Sequence, residues 1–288
     1  MKYFLKKLTE KGKLNKIIYE RFTEPAHLNF ISLFVTLLGS FEKKVEFDLI
    51  LRQHYAFCIL GAARLARNLG FKSTTLIEFG TGSGMGLMNI CEIAKKVSKC
   101  TGVHLDIVGF DLGTGLPKPR DYRDHPEIFS PGSYPLLDKD RLLESLPDNA
   151  RLILGDIADT VPGFIKTISK ESPIGFVAID VDYYSSAKES LKVFEGNPEL
   201  YLPFLLVYLD DVGDFINYSP WTGELLAVNE FNTENKLRKI SFYSGLRGKR
   251  IFKNANWINK IYVMHVLDHT WRSVNNTGNK VFEKNLYF

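Results

Sequence analysis

Five short apolar runs, each closing on or beside an acidic residue, constrain this chain more than any other feature. They read "TTLIEF", "LDIVGFD", "ARLILGD", "IGFVAID" and "FLLVYLDD" and fall between residues 74 and 211. Each has the length of a strand and is apolar on both alternations. Such strands need cover on both faces. Helical patterns lie between most of them, such as "LDKDRLLESL" and "SAKESLKVFEG". Strands alternating with helices predict a parallel sheet with helices on both sides. After the fifth run, "TGELLAVNEFNTEN" predicts a helix capped by Thr222. "KLRKISFYSG" and "KIYVMHVLDH" add two more strands. The expected fold is therefore α/β and Rossmann-like, with a seven-stranded, mostly parallel sheet.

Upstream, "FDLILRQHYAFCILGAARLARNLGF" carries apolar residues at helical spacing, and Gly70 stands where a helix would stop. Residues 1–70 are expected to form a helical extension or cap, and residues 71–288 the main domain. Residues 112–136 hold five prolines and three glycines. A loop of that length is expected to act as a lid or binding loop.

Composition narrows the class. The chain has 288 residues and a formal net charge of +4, too weak a balance to argue for nucleic acid. Its three cysteines (Cys58, Cys91, Cys100) form no paired motif, which fits neither a disulfide framework nor a zinc cluster. A signal-peptide pattern is missing at the N-terminus, so the expected setting is cytoplasmic. The apolar stretch "HLNFISLFVTLLGS" is too short and too interrupted to span a bilayer.

The first run leads into "GTGSGMG", with glycines at 80, 82, 84 and 86. Backbone without Cβ atoms can approach a ligand closely, and a helix start adds free N–H groups. The nicotinamide fingerprint fails in every register, because its sixth position falls on Met85, Leu87 or Asn89. The stretch instead resembles motif I of the class I S-adenosylmethionine-dependent methyltransferases, with Glu78, Gly80, Gly82 and Gly84 in the matching places. The resemblance implies that the loop, including Thr81 and Ser83, holds the methionine end of that cofactor. It implies that Asp111 takes the ribose hydroxyls, that Asp156 with Ile157 lies near the adenine, and that Asp180 borders the same site. In open α/β sheets, ligands bind outside the carboxyl ends of the strands, where these residues fall.

Asp180 and Asp182 sit two apart at the end of the fourth run, and Asp210 and Asp211 end the fifth. Two unit charges about 4 Å apart repel by roughly 4 kcal/mol at an effective dielectric near 20. A divalent cation with hard oxygen ligands, Mg2+ being commonest, relieves that repulsion. Alternatively, one or two of these aspartates cap helices, as Asp182 could before "YYSSAKESL". At this point the chain resembles the macrocin O-methyltransferase family. Gly155, Asp159, Thr160 and Pro162 match one segment, and Asp180, Asp182, Tyr184 and Ser186 match a second. Asp210 and Asp211 match a third, and the likeness covers roughly residues 75–215. It implies that Asp180, Asp210 and Asp211 bind Mg2+ and that Asp182 is the base for a sugar hydroxyl, making Asp180 and Asp182 the catalytic pair.

Other features carry two readings each. His125, in the proline-rich loop, is a base if the loop closes, or else loop structure. His265 and His269 would lie about 13 Å apart on a strand, which argues against a shared metal. Tyr183 and Tyr184 line the pocket or pack the helix start. Residues 236–260 hold eight Lys/Arg and no acid, which suits an anionic acceptor or a solvated face. The leading expectation is O-methylation of a hydroxyl on a small molecule or glycan, with the oligomeric state left open and a homodimer as one option. A nucleic-acid methyltransferase ranks second, because "DVDYY" lacks the proline of the amino-methylating motif. A non-catalytic cofactor-binding protein ranks third.

Overall fold

The computed structural model describes residues 19–213 and 219–276. The first 18 residues of the expected helical extension, and the end of the main domain, lie outside the described residues.

Strands β1 (Ser73–Phe79), β2 (His104–Asp111), β3 (Ala150–Leu154), β4 (Ile174–Ile179), β5 (Tyr201–Leu209), β6 (Arg238–Phe242) and β7 (Ile261–Val266) form one sheet. Its order is β3-β2-β1-β4-β5-β7-β6. The first five strands pair in parallel, and β7 runs antiparallel to both neighbours. After β3 the chain crosses to the far side of β1, so the switch in direction falls between β1 and β4. That is where an open α/β sheet leaves a crevice. This order, with the antiparallel strand inserted next to β5, is the Rossmann-like class I methyltransferase fold that the sequence predicts.

Register brings the acidic tips level. Phe79 pairs with Phe110 and with Ile179, and Ile179 pairs with Leu209. The next residues along, Gly80, Asp111, Asp180 and Asp210, therefore leave the sheet along one edge. Ladder bonds continue into the turns. Gly80 N–H donates to the Phe110 carbonyl (2.9 Å), Asp180 N–H to Phe79 (3.0 Å) and Asp210 N–H to Ile179 (3.0 Å).

Helices fill both faces. On one face, α3 (Gln53–Asn68) and α4 (Met85–Thr101) bury Tyr55, Ile59, Leu87 and Ile90 against Leu76, Phe176 and Ala178. On the other, α6 (Ile157–Ile165), α7 (Tyr184–Leu191) and α8 (Gly223–Glu234) bury Phe164, Leu191 and Phe231 with Ile77, Phe79, Val177 and Ile179. Adjacent strand residues take opposite faces, as pleating requires. Within the segment read as an extension, α1 (Ala26–Leu38) and α2 (Phe41–Glu46) precede α3, and α3 itself lies flat on the sheet. Gly70 follows α3 with a φ of 86°, the left-handed stop expected of it. A short helix α5 (Lys139–Ser145) leads into β3, and α9 (Leu246–Lys249) lies between β6 and β7. Thr222 does precede α8, but its hydroxyl makes no cap bond.

The 112–136 loop carries one 3-10 turn, Tyr122–Asp124, and folds back on itself. Leu116 N–H donates to Ser133 (2.9 Å) and Gly132 N–H returns to Leu116 (2.8 Å). Buried Asp124 accepts from Ser185 N–H (2.8 Å) and from the Ser185 hydroxyl (3.0 Å), pinning the loop to the start of α7.

Candidate active site

The β1–α4 turn sets one wall. Gly80 has a φ of 83°, and a Cβ there would meet the Asp180 carbonyl oxygen at 1.8 Å. Only glycine lets the turn lie against the tip of β4. The Asp111 carboxylate braces the same turn, accepting Gly82 N–H (2.7 Å) and Gly113 N–H (2.6 Å). Asp156 caps α6 by accepting Ala158 N–H (2.9 Å). Gly80, Thr81, Gly82, Ser83, Asp111, Asp156 and Ile157 line one cavity of about 640 Å3, and Asp180, Asp182, Asp210 and Asp211 line it too. Gly84 borders a second cavity of about 940 Å3, which also reaches Asp180 and Asp210. Glu78 lies at neither surface. It is buried under the turn, accepts the Tyr55 hydroxyl (2.8 Å), and has burial pushing its carboxyl up to about 7.

Asp180, Asp210 and Asp211 each offer a carboxylate oxygen within 4.8 Å of the others. Burial, then the charges of Asp210 and Asp211, hold the Asp180 carboxyl well above its ordinary range. Asp210 goes the other way. Burial alone would raise it, but Lys260 and the Tyr208 hydroxyl outweigh that, and its carboxyl is lowered. Lys260 Nζ stands 3.1 Å from Asp210 Oδ1 and donates to the Asp210 carbonyl.

Asp182 occupies the bend after β4. Tyr183 N–H donates to the Val181 carbonyl (2.6 Å) across it, and Asp182 has a φ of 61°. A three-residue turn with a positive central φ is rare and strained for a residue other than glycine. Burial, then Asp211 and Asp210, push its carboxyl up to about 7. It does not cap α7: the residue at that position is Tyr183, and Asp124 supplies the carboxylate that bonds the first turn.

Three residues join the site that the sequence reading did not single out. Glu224, in the first turn of α8, is 1% exposed and accepts Asp211 N–H (3.1 Å), leaving its Oε1 buried without a hydrogen bond. Burial, then Asp211, Asp210 and Asp180, hold it well above the usual carboxylate range. Lys260 arrives from the segment before β7. Arg52, just ahead of α3, lines both cavities and has its guanidinium 5.4 Å from the centre of the Tyr55 ring, within electrostatic reach of Glu78 and Asp180.

Of the residues with two readings, His125 is buried, bonds Glu127 Oε1 through Nδ1 (3.0 Å) and packs on Gly223, as loop structure would. His265 lies in β7, whereas His269 falls beyond its end and bonds the Tyr201 carbonyl. Tyr184 donates to Glu230 on α8, and Tyr183 is buried at the helix start.

No family model and no curated protein matches the sequence. Among solved structures, a calicheamicin methyltransferase is similar at 18% identity over 83% of this chain and 91% of its own, with a TM-score of 0.46. The O-methyltransferase TomG from Streptomyces achromogenes, solved with S-adenosylmethionine, gives 14%, 82%, 94% and 0.43. An O-methyltransferase from Bacillus cereus, in complex with S-adenosylhomocysteine, gives 13%, 84%, 90% and 0.41. At these values the likeness carries no activity across.

Proposed function

We propose that this chain is an S-adenosylmethionine-dependent, Mg2+-dependent O-methyltransferase acting on a hydroxyl of a small molecule or glycan. One observation carries the reading. Three carboxylates converge within 4.8 Å on the same cavity that the glycine turn, Asp111 and Asp156 line. Three hard anionic oxygens and the orphaned buried Oε1 of Glu224 suit a divalent cation better than any neutral ligand. The open, positive-φ turn beside two acidic strand ends suits a cofactor with amino and hydroxyl groups.

When bound, the cation would acidify and orient the acceptor hydroxyl, and the cofactor would supply the methyl group. The chain's own part is positional and basic. Asp180, Asp210 and Asp211 would hold the cation. Asp182, half-buried and poised near neutrality, would take the hydroxyl proton. Asp111 and Asp156 would fix the cofactor so that methyl and acceptor meet in line. Arg52, which lines both cavities and lies within electrostatic reach of Glu78 and Asp180, would take a carboxylate at the junction of the two cavities.

Calorimetric titration with S-adenosylmethionine, with and without Mg2+, tests the reading. Binding is expected in both conditions. No binding in either would overturn it. Turnover of hydroxyl compounds that is indifferent to chelator would remove the metal.

A further inference from the structure

Helix α1 is amphipathic in the wrong direction for a helix that packs on its own protein. Its outward residues Phe30, Leu33, Phe34, Leu37 and Leu38 fall at helical spacing and are 60–85% exposed. The inward side carries Asn29, Ser32 and Thr36, whose polar atoms are spent on Arg21 and on the backbone of residues 21, 28 and 32. No residue of α1 is charged. Eight of the nineteen large exposed apolar side chains among the described residues fall between Tyr19 and Leu38. That concentration is a patch and not the ordinary scatter of surface hydrophobics.

A basic turn borders the patch, and the sequence ahead of it is basic as well. The 18 residues before it hold six lysines against one glutamate. The basic turn around α9 is stapled to the segment that opens α1. Asn254 N–H donates to Glu24 Oε1 (2.7 Å), Asn254 Nδ2 to Thr23 (2.9 Å) and Asn256 N–H to Glu20 Oε1 (3.1 Å). Arg247, Lys249 and Lys253 are exposed on that turn.

We infer that α1 lies on an anionic lipid surface, its apolar stripe entering the headgroup boundary while Arg247, Lys249 and Lys253 meet the lipid phosphates. An apolar stripe with a basic border is the pattern of interfacial helices. Thirteen residues span roughly 20 Å, short of the ~30 Å hydrocarbon core, and no helix among the described residues is long and apolar enough to cross a membrane. A second copy is the poorer occupant. A two-fold interface would set the stripe against its own copy, and α1 has no acidic residue to meet the basic turn beside it. The inference stands apart from the methyltransferase reading.

The test is co-sedimentation of the full chain with phosphatidylcholine vesicles, either alone or with one third phosphatidylglycerol. Salt-sensitive binding to the anionic vesicles is expected. Phe34→Glu with Leu37→Glu should abolish it without changing Tm, since both side chains are exposed. Lys249→Gln and Lys253→Gln should each weaken it about fivefold. No pelleting with anionic vesicles, or pelleting unaffected by the double glutamate variant, would overturn the inference. So would a dimer in sedimentation velocity that the same variant dissociates, because the stripe would then belong to a second copy.

Discussion

At the scale of single residues, the site is a problem of crowded negative charge, and the carboxylates divide into roles by what surrounds them. Asp210 has Lys260 beside it, whereas Asp180 and Glu224 have mainly other acids. Asp182 sits between these extremes at about 7. Asp182→Asn keeps a side chain that tolerates the left-handed turn. It should lower kcat by roughly 10²–10⁴-fold while cofactor affinity in calorimetry stays nearly unchanged. Crowding also predicts a pH effect. A folded carboxyl that holds its proton to about 7, against roughly 3.9 when unfolded, contributes stability that is complete below the lower value and lost as pH rises through the upper one. In chelator, Tm should therefore fall between about pH 4 and 7, and both Mg2+ and Glu224→Gln should flatten that fall in scanning fluorimetry. The strand-tip acids were legible because an aspartate ending an apolar run stands out. Glu224 was not, since a glutamate in the first turn of a helix reads as ordinary dipole compensation. Arg52 was hidden for a similar reason, as one arginine ahead of an amphipathic stretch.

At the scale of elements, the turns hold the geometry. Gly80 lets β1 and β4 end in contact, so Gly80→Ala would force apart the Asp180 carbonyl and the glycine turn together. Its cost should exceed the ~1 kcal/mol that an unstrained glycine-to-alanine exchange gains, seen as a lower urea midpoint, with cofactor binding lost as well. Beneath the same turn, Tyr55→Phe would strand the buried Glu78 oxygen that the hydroxyl now satisfies. A loss of about 1–3 kcal/mol is expected in chemical unfolding. The five parallel strands were readable, because apolar runs of five to nine residues have no other place to go. The placement of Lys260 was not. It depends on β7 running backward beside β5, which brings the residue before β7 to the edge where β5 ends. Nothing local to "INKIYV" encodes that direction. The inverted stripe of α1 was equally opaque: the pattern gives a stripe but not which way it faces.

At the scale of the molecule, the site draws on nearly the whole chain, from Arg52 to Lys260. A ligand that binds only the assembled form should raise Tm, by an amount corresponding to about 2.7 kcal/mol at a hundredfold excess over Kd. S-adenosylmethionine with Mg2+ should raise it further than either alone. The same long reach governs how the protein comes into being. The hydrogen bond from Asn254 to Thr23 joins residues 231 apart. At ribosomal speeds of about 5–20 residues per second, roughly 12–46 s pass between the two. Throughout that interval the segment opening α1 lacks the C-terminal turn that anchors it. The segment opening α1 is thus made long before it can lock, and a nascent chain halted before Asn254 would display its apolar helix to chaperones or to a lipid surface before the site was complete.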